Sequence, residues 1–325
     1  MLKLLWKALV IAVMIALLLV LMPAPYAYAD FIRLSLDEKA PPVDYGNYIS
    51  AEAYSDPSLD IRIWRGRYRS ANYTCAMVSI ADPLQIRSAF AGKASNGFTA
   101  TAVNIAEAHN AVFAVNGDYF SSEFHEKNYI IRQGKAYKTR YLEKKWDLMI
   151  IDQNGDLHGI HEPSKEKLEA WARSHPGLKI INTFNMGPVL IDNGETVMAD
   201  FNQALNQRNL GLHKNCARMA VCQLDPLIYL FVTCEGPDDE DGSGLTMNDF
   251  VSLLREVETQ LDGRRIRFAY NLDGGASATM LFKAPDRNKL IRVNGSKSRP
   301  DRYVKDILFF VSAWENEEPA SVEGE

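Results

Sequence analysis

Cysteine is scarce in this chain of 325 residues, with only Cys75, Cys216, Cys222 and Cys234. No two of them have Cys-x-x-Cys spacing, so neither a zinc ribbon nor a redox pair is indicated. Four cysteines allow three disulfide pairings, and the sequence does not choose among them. Buried free thiols are the other reading, because Cys222 and Cys234 lie in apolar, strand-like runs. Positive charge is not in excess: 36 Lys and Arg stand against 41 Asp and Glu, for a net charge of −5. A mildly acidic surface attracts neither nucleic acid nor an anionic membrane. There is no Gly-x-Ser-x-Gly elbow to support a serine hydrolase and no repeat with a period of 20–50 residues. The apolar run from Ala8 to Met22, about fifteen residues, is short for a membrane span.

That run has the flanks of a secretory signal. Lys3 and Lys7 precede it, Pro23 and Pro25 follow, and Ala27-Tyr28-Ala29 closes it in the small-x-small form. Residues 1–29 are therefore expected to be a signal peptide, and the mature protein to be secreted or periplasmic. Left uncleaved, the segment would be an N-terminal anchor and the chain's one link to a membrane. Residues 30–70 carry Pro41, Pro42 and several acidic residues, and read as an extended lead-in. A main domain is expected over 71–313, with an acidic tail over 314–325. Asn72-Tyr73-Thr74 and Asn294-Gly295-Ser296 are glycosylation sequons, relevant only in a host that modifies them.

Within the main domain, turn chemistry is the clearest local signal. Strands are expected around Tyr73 to Ile80 and Leu84 to Phe90. Hairpins are expected over Tyr129–Tyr137, turning at Gln133-Gly134, and over Leu148–Ile160, turning at Asn154-Gly155. Two more are expected, over Val189–Val197 through Asp192-Asn193-Gly194 and around Asp225-Pro226. Helices are expected near Thr101–His109, over Lys165–Arg173 and from Thr246 to about Leu261. In the last, Phe250, Leu253, Leu254, Val257 and Leu261 make an apolar stripe behind the Thr246/Asp249 cap. Hairpins with two or three packed helices describe an α+β fold with a mixed, mostly antiparallel sheet, not a doubly wound one.

Chemistry concentrates at Asn271-Leu272-Asp273-Gly274-Gly275-Ala276-Ser277-Ala278-Thr279-Met280. An apolar strand, Ile266 to Tyr270, leads into a carboxylate, an amide, two glycines and two hydroxyls. Alternation sends Leu272 to the core and puts Asn271 and Asp273 on the other face. The glycines allow positive φ or close approach of a ligand to the backbone. Phe113-Ala114-Val115-Asn116-Gly117-Asp118 repeats the pattern Phe-Ala-x-Asn-x-Asp, again after a helix and a strand. Each string on its own also reads as a capped turn. Together they suggest two strand ends presenting Asn116/Asp118 and Asn271/Asp273 to one cleft. If both strands lie in one sheet, the two carboxylates should face each other there.

The chain resembles the phosphodiester glycosidase family. The matching segments are Asn116-Gly117-Asp118-Tyr119-Phe120, Gly187-Pro188-Val189-Leu190 with Asn193-Gly194, and Ala217-Arg218-Met219-Ala220-Val221. Ser243-Gly244-Leu245-Thr246, the Asn271–Met280 run, Val293-Asn294 and Arg302-Tyr303-Val304 complete the set. They span roughly Thr74 to Val311. Ala276 and Ala278 stand where the family more often has Gly and Ser. The resemblance implies hydrolysis of a sugar-1-phosphodiester at the anomeric carbon–oxygen bond, of the α-N-acetylglucosaminyl phosphodiesterase type. The sequence itself requires no cofactor, and the resemblance implies a sugar-phosphate or glycan-phosphodiester substrate. Asp118, Asp273 and Arg218 are then the catalytic candidates, with Arg218 as a bidentate phosphate clamp. Asn116, Gly117, Asn271, Gly274, Gly275, Ser277, Thr279, Glu235 and Arg302 are the substrate-binding candidates. The N–H groups of Gly274 and Gly275 are expected on the phosphate.

Two other functions compete: a non-catalytic carbohydrate-binding or envelope protein of the same fold, suggested by Ala276 and Ala278, and a metal-dependent phosphodiesterase. For the second, an EF-hand frame starting at Asp239 places Gly244 correctly. Its twelfth position, however, is Phe250, where a bidentate glutamate is needed. A solvated acidic loop is the simpler reading, with loose Ca²⁺ binding at most. His158 and His161 lack a third ligand for zinc.

Overall fold

In the computed structural model, residues 31–92, 98–119, 129–140, 147–197, 211–239 and 242–315 are described. The expected signal peptide and the tail beyond 315 lie outside them. The described residues from Arg33 onward form one compact unit.

The first strands arise from simple alternation. In Leu59–Tyr68, Leu59, Ile61 and Ile63 are buried while the residues between them are partly or fully exposed. This is the period of a strand with one face on a core. Strand β1 (Ala53–Asp56), β2 (Leu59–Tyr68) and β3 (Ala71–Ile80) form a meander, with β2 paired to β3 along its whole length. The segment expected as an extended lead-in is thus extended as strands, but it belongs to the main sheet. Pro41 and Pro42 lie before β1, while Pro57 sits in the turn between β1 and β2.

Next come β4 (Ile86–Phe90), β5 (Ala100–Thr101), helix α1 (Ala102–Ala108) and β6 (Phe113–Asn116). The hairpin β7 (Tyr129–Arg132) to β8 (Lys135–Thr139) turns at Gln133-Gly134, and β9 (Asp147–Asp152) to β10 (Leu157–His161) turns through Asn154-Gly155. Helix α2 (Lys165–Ser174) starts on the Ser164 cap. After β11 (Ile180–Met186), β12 (Val189–Asp192) and β13 (Glu195–Thr196) flank Asn193-Gly194. Gln133, Gly134, Gly155, Asn193 and Gly194 all have positive φ, as these turns require. Strands β14 (Arg218–Asp225) and β15 (Ile228–Cys234) follow. Helix α3 (Met247–Glu258) comes next, with the Asp249 N–H donating to Thr246 Oγ1. The chain closes with β16 (Phe268–Leu272), β17 (Met280–Lys283), β18 (Leu290–Arg292), β19 (Tyr303–Val304) and β20 (Asp306–Phe310).

These strands make an eight-stranded sheet, β1-β2-β3-β15-β14-β16-β12-β13, and a five-stranded sheet, β18-β17-β6-β20-β4. Among the described residues three smaller sheets complete the set, and every strand pair is antiparallel. The fold is α+β, mainly antiparallel sheet with three α-helices among the described residues. The two large sheets share one core. Ile61, Val78, Val221, Phe231 and Tyr270 from the first meet Phe113, Val115, Met280, Phe282 and Phe310 from the second. Alternate residues of the eight-stranded sheet, such as Ala220, Cys222 and Val232, point the other way, under α3. The outer face of the five-stranded sheet packs on α1 through Ala114, Ile307 and Phe309. With both faces covered, β14, β15, β16 and β20 are buried nearly throughout, which explains their continuous apolar runs. All four cysteines are free thiols. Asn294, in one sequon, is buried with its amide bonded to Ala278 O and the Met280 N–H.

Candidate active site

Strands β6 and β16, which carry the repeated Phe-Ala-x-Asn-x-Asp motif, lie in different sheets. The condition of one shared sheet is therefore not met, yet their ends still meet. In both strands the residues of one face, Phe113 and Val115 or Tyr270 and Leu272, point into the core between the sheets. The two chains therefore leave the core side by side. The Asn116 side chain ties them together: its Nδ2 donates to Asp273 O at 2.8 Å, and its Oδ1 accepts the Thr279 N–H at 2.9 Å. The Asp273 N–H donates to Gly117 O at 3.3 Å.

Asp118 and Asp273 are brought together at this junction, close enough for their charges to interact. Both are almost completely buried. Asp118 Oδ1 accepts the Asn185 N–H at 2.6 Å, and its Oδ2 accepts from Arg132 Nη2 at 2.7 Å and Asn185 Nδ2 at 3.3 Å. Burial raises its pKa to about 6, against the lowering effect of Arg132, while the carboxylate of Asp306 adds to the rise. Asp273 accepts from the Ser277 hydroxyl and the Gly274 N–H. Burial pushes its pKa up to about 7, with Ser277 and the positive charge of Arg302 pulling it down and Asp118 adding repulsion. A carboxylate that titrates near neutrality beside a second one is a recurring acid–base arrangement.

The loop after Asp273 is held from behind. Ala278 O accepts from Arg299 Nη2 at 2.8 Å and Asn294 Nδ2 at 3.0 Å. A Cβ on Gly274 would stand 2.6 Å from Ala217 O, so close approach to the neighbouring backbone demands glycine there. The Gly275 N–H donates to that same Ala217 O at 2.8 Å, and the Gly274 N–H serves the Asp273 carboxylate. Neither N–H is left for a phosphate, contrary to expectation. Ser277 and Thr279 are buried; Ser277 acts on Asp273, and the Thr279 backbone braces Asn116. Asn271 Nδ2 donates to Gly187 O at 2.8 Å, while its buried Oδ1 meets no donor among the described residues.

Arg218 departs most from its expected task. Its Nε donates to Leu245 O at 3.1 Å, and its Nη2 to Gly211 O at 2.7 Å and Lys214 O at 2.8 Å. Backbone carbonyls thus engage the guanidinium, and burial lowers its pKa. A strand arginine must find partners when buried, and here loop carbonyls are among them. Lysine cannot span three such acceptors, so Arg218→Lys is expected to lower Tm by several degrees while kcat/KM changes little. Arg302 is exposed, and its charge acts on Asp273. Glu235 is half-buried at the end of β15, on the same end of the large sheet, and accepts from Asn72 Nδ2 at 2.7 Å.

Sequence reasoning missed Arg132, Asn185 and Asp306. Arg132 Nη2 also contacts Asp306 Oδ2 at 2.6 Å, and Asp306 Oδ1 accepts the Asp118 N–H at 2.8 Å. The available signal was a charge heading or ending an apolar run, Ile130-Ile131-Arg132 and Asp306-Ile307-Leu308, since such charges need buried partners. Gly117, a candidate for substrate binding, is constrained by this cluster instead. A Cβ there would fall 2.3 Å from Asp306 Oδ1. Gly117→Ala is expected to cost about 1–3 kcal/mol by overpacking and to reduce activity, measurable by urea unfolding alongside the assay.

The acidic loop expected to be solvated is not solvated at Asp239. Asp239 is buried and accepts the Gly236 and Ser296 N–H groups and Arg299 Nη1. Residues 240–241 lie outside the described residues. His158 and His161 pair with Asp152 and Asp147 at 2.9 and 2.6 Å. Among the described residues no three acidic, histidine or cysteine side chains cluster to hold a metal. No helix among them is long and apolar enough to cross a membrane. A polar groove of about 1160 Å³ opens at the opposite end of β14 and β16, lined by His158, His175, Asp225 and Arg267 among others. It contains none of the candidate residues.

A phosphodiester glycosidase family model matches residues 109–311. No curated protein sequence matches significantly. Among solved structures, the catalytic domain of zebrafish N-acetylglucosamine-1-phosphodiester alpha-N-acetylglucosaminidase, auto-inhibited by its pro-peptide, has a similar fold. The TM-score is 0.58 at 18% identity, covering 88% of this chain and 100% of that one. A hypothetical protein from Synechocystis gives a TM-score of 0.47 at 14% identity, over 78% of this chain and 62% of that one.

Proposed function

The chain belongs to the phosphodiester glycosidase family, and from that premise we propose that it cleaves a sugar-1-phosphodiester at the anomeric carbon–oxygen bond. The products are a free sugar and a phosphomonoester. The family acts on sugar phosphodiesters, which makes this chain a hydrolase at the coarse level. The observation that carries the finer reading is the meeting of Asp118 and Asp273, with Arg302 acting on Asp273.

The chemistry follows from what the leaving group requires. A departing phosphomonoester is a weak base, so protonation by a general acid matters less than in cleavage between two sugars. Anion stabilisation and a carboxylate to support positive charge at the anomeric carbon matter more. Asp273 takes the carboxylate role, as nucleophile or as base toward water. Its position near neutrality means that a large share of it is ionised at pH 7. Arg302, exposed beside it, is the phosphate contact. Ala278, one of the two family departures, is fully buried in the core between the sheets, so its change from the family pattern reads as packing and weakens the case for a silent relative. Incubation with a panel of α-sugar-1-(methyl phosphates) tests the reading. Release of reducing sugar with methyl phosphate, insensitive to chelator, supports it. Sugar 1-phosphate and methanol, lost on adding EDTA, would support a metal-dependent phosphodiesterase instead.

We further propose that the enzyme works outside the cytoplasm. Mass spectrometry of the mature chain is expected to find Asp30 at its N-terminus. An intact Met1 terminus recovered with membranes would mean a signal anchor.

A further inference from the structure

We propose that Arg132 is a positioning residue for the carboxylate pair: shared between Asp118 and Asp306, it locks Asp118 in place as the charged neighbour of Asp273 without touching substrate. The inference rests on the reading of Asp118 and Asp273 as the reacting pair.

The geometry is that of a clamp. Arg132 Nη2 lies 2.7 Å from Asp118 Oδ2 and 2.6 Å from Asp306 Oδ2, and only 2% of its side chain is exposed. Its Nη1 donates to Ile131 O at 3.1 Å and also to Thr183 O. The guanidinium lies over the Phe184 ring at 4.5 Å and the Phe90 ring at 5.5 Å. Every one of these contacts restricts rotation, so the fork can present its edge in one orientation only. The backbone is built around it, because Asp306 Oδ1 takes the Asp118 N–H and tolerates no side chain at Gly117. Gly117 O in turn takes the Asp273 N–H. One turn of chain therefore bears both the clamp and the contact to Asp273.

Charge counting separates this from an ordinary buried ion pair. One cation serves two carboxylates, so with both ionised the trio keeps a net negative charge. A structural pair would cancel. The groups that face Asp118 are Arg132, Asp306, Tyr270 and Asp273; those that face Asp273 are Asp118, Ser277 and Arg302. Lys305 stands beside Asp306. Of these, Asp118 is the neighbour whose charge opposes ionisation of Asp273, and Arg132 is the group that fixes where that charge sits.

Two variants test it, Asp306→Asn and Arg132→Lys, with ¹³C-carboxyl NMR titration of aspartate-labelled protein beside pH-dependent kinetics. Folding is checked by Tm. In folded Asp306→Asn, Asp118 is expected to titrate lower by about half a unit or more, because one nearby negative charge is gone, while Asp273, which faces the charge of Asp118, does not titrate lower. The acid limb of kcat, set by Asp273, should not move down with Asp118. In folded Arg132→Lys, kcat should fall about tenfold or more with KM little changed, as misplacement of a reacting group does. A folded Asp306→Asn with an unmoved Asp118 titration overturns the proposal, as does a folded Arg132→Lys with wild-type kcat. If Arg132→Lys does not fold, Asp306→Asn decides alone. If the wild-type protein turns over no sugar phosphodiester, the proposed function fails, and the titrations still judge the clamp.

Discussion

Asp273→Asn is expected to abolish turnover, lowering kcat by about a thousandfold or more, because the reaction loses the carboxylate that meets developing positive charge. The protein itself should survive the change and gain stability at alkaline pH. In the folded state the carboxyl holds its proton up to about 7, against 3.8 for a free aspartate. Between those two values the folded protein binds more protons than the unfolded chain, so stability from this group falls as pH rises. Asparagine does not ionise and escapes that penalty. At pH 8 the variant should be the more stable protein, by up to about 4 kcal/mol. The gain should shrink as pH falls through 7 and disappear near 4. Urea unfolding at pH 4 and pH 8 measures it. A variant less stable than wild type at pH 8 would contradict a buried carboxylate destabilised by its own ionisation. Wild-type kcat should correspondingly rise through about pH 7 as Asp273 loses its proton.

Arg302→Ala is the second large effect expected, a loss of about a hundred- to a thousandfold in kcat/KM, as for removal of one donor from an anion-stabilising site. Arg302→Lys should recover part of it, since the charge returns but the planar fork does not. Wild-type kcat/KM in folded Arg302→Ala would remove Arg302 from the phosphate. Because Arg302 is exposed, its removal should leave Tm nearly unchanged. Arg218 should behave in the opposite way, since it clamps the carbonyls of Gly211, Lys214 and Leu245. The two arginines are thus expected to divide into one that holds the loop and one that serves the proposed reacting carboxylate.

What the sequence conveyed well was local. Turns at Gln133-Gly134, Asn154-Gly155 and Asn193-Gly194 need positive φ, and the residue types that tolerate it stand there. The helix over Met247–Glu258 was legible from its cap and stripe. Which sheet each strand joins was not, because pairing is settled by partners far away in the chain. Strand β12 lies against β16 across some eighty residues of sequence, and the shared Phe-Ala-x-Asn-x-Asp motif gave no hint that its two copies belong to opposite sheets. The region before residue 71 was underestimated, since its charged residues distract from the alternation of Leu59, Ile61 and Ile63. In the site, the carboxylates were legible because a strand end rich in polar groups is conspicuous. Arg132 and Asp306 were not, since their contact joins residues 174 apart in sequence. Arg218 misled because a buried arginine satisfied by carbonyls and one awaiting a phosphate look alike in one dimension.

The bond that breaks is the central claim, and hydrolysis in H₂¹⁸O tests it most directly. With a sugar-1-(methyl phosphate) that the enzyme turns over, attack at the anomeric carbon leaves every phosphate oxygen in place. The methyl phosphate released should therefore carry no label by mass spectrometry. An ¹⁸O atom in the phosphate product would show attack at phosphorus and contradict the account.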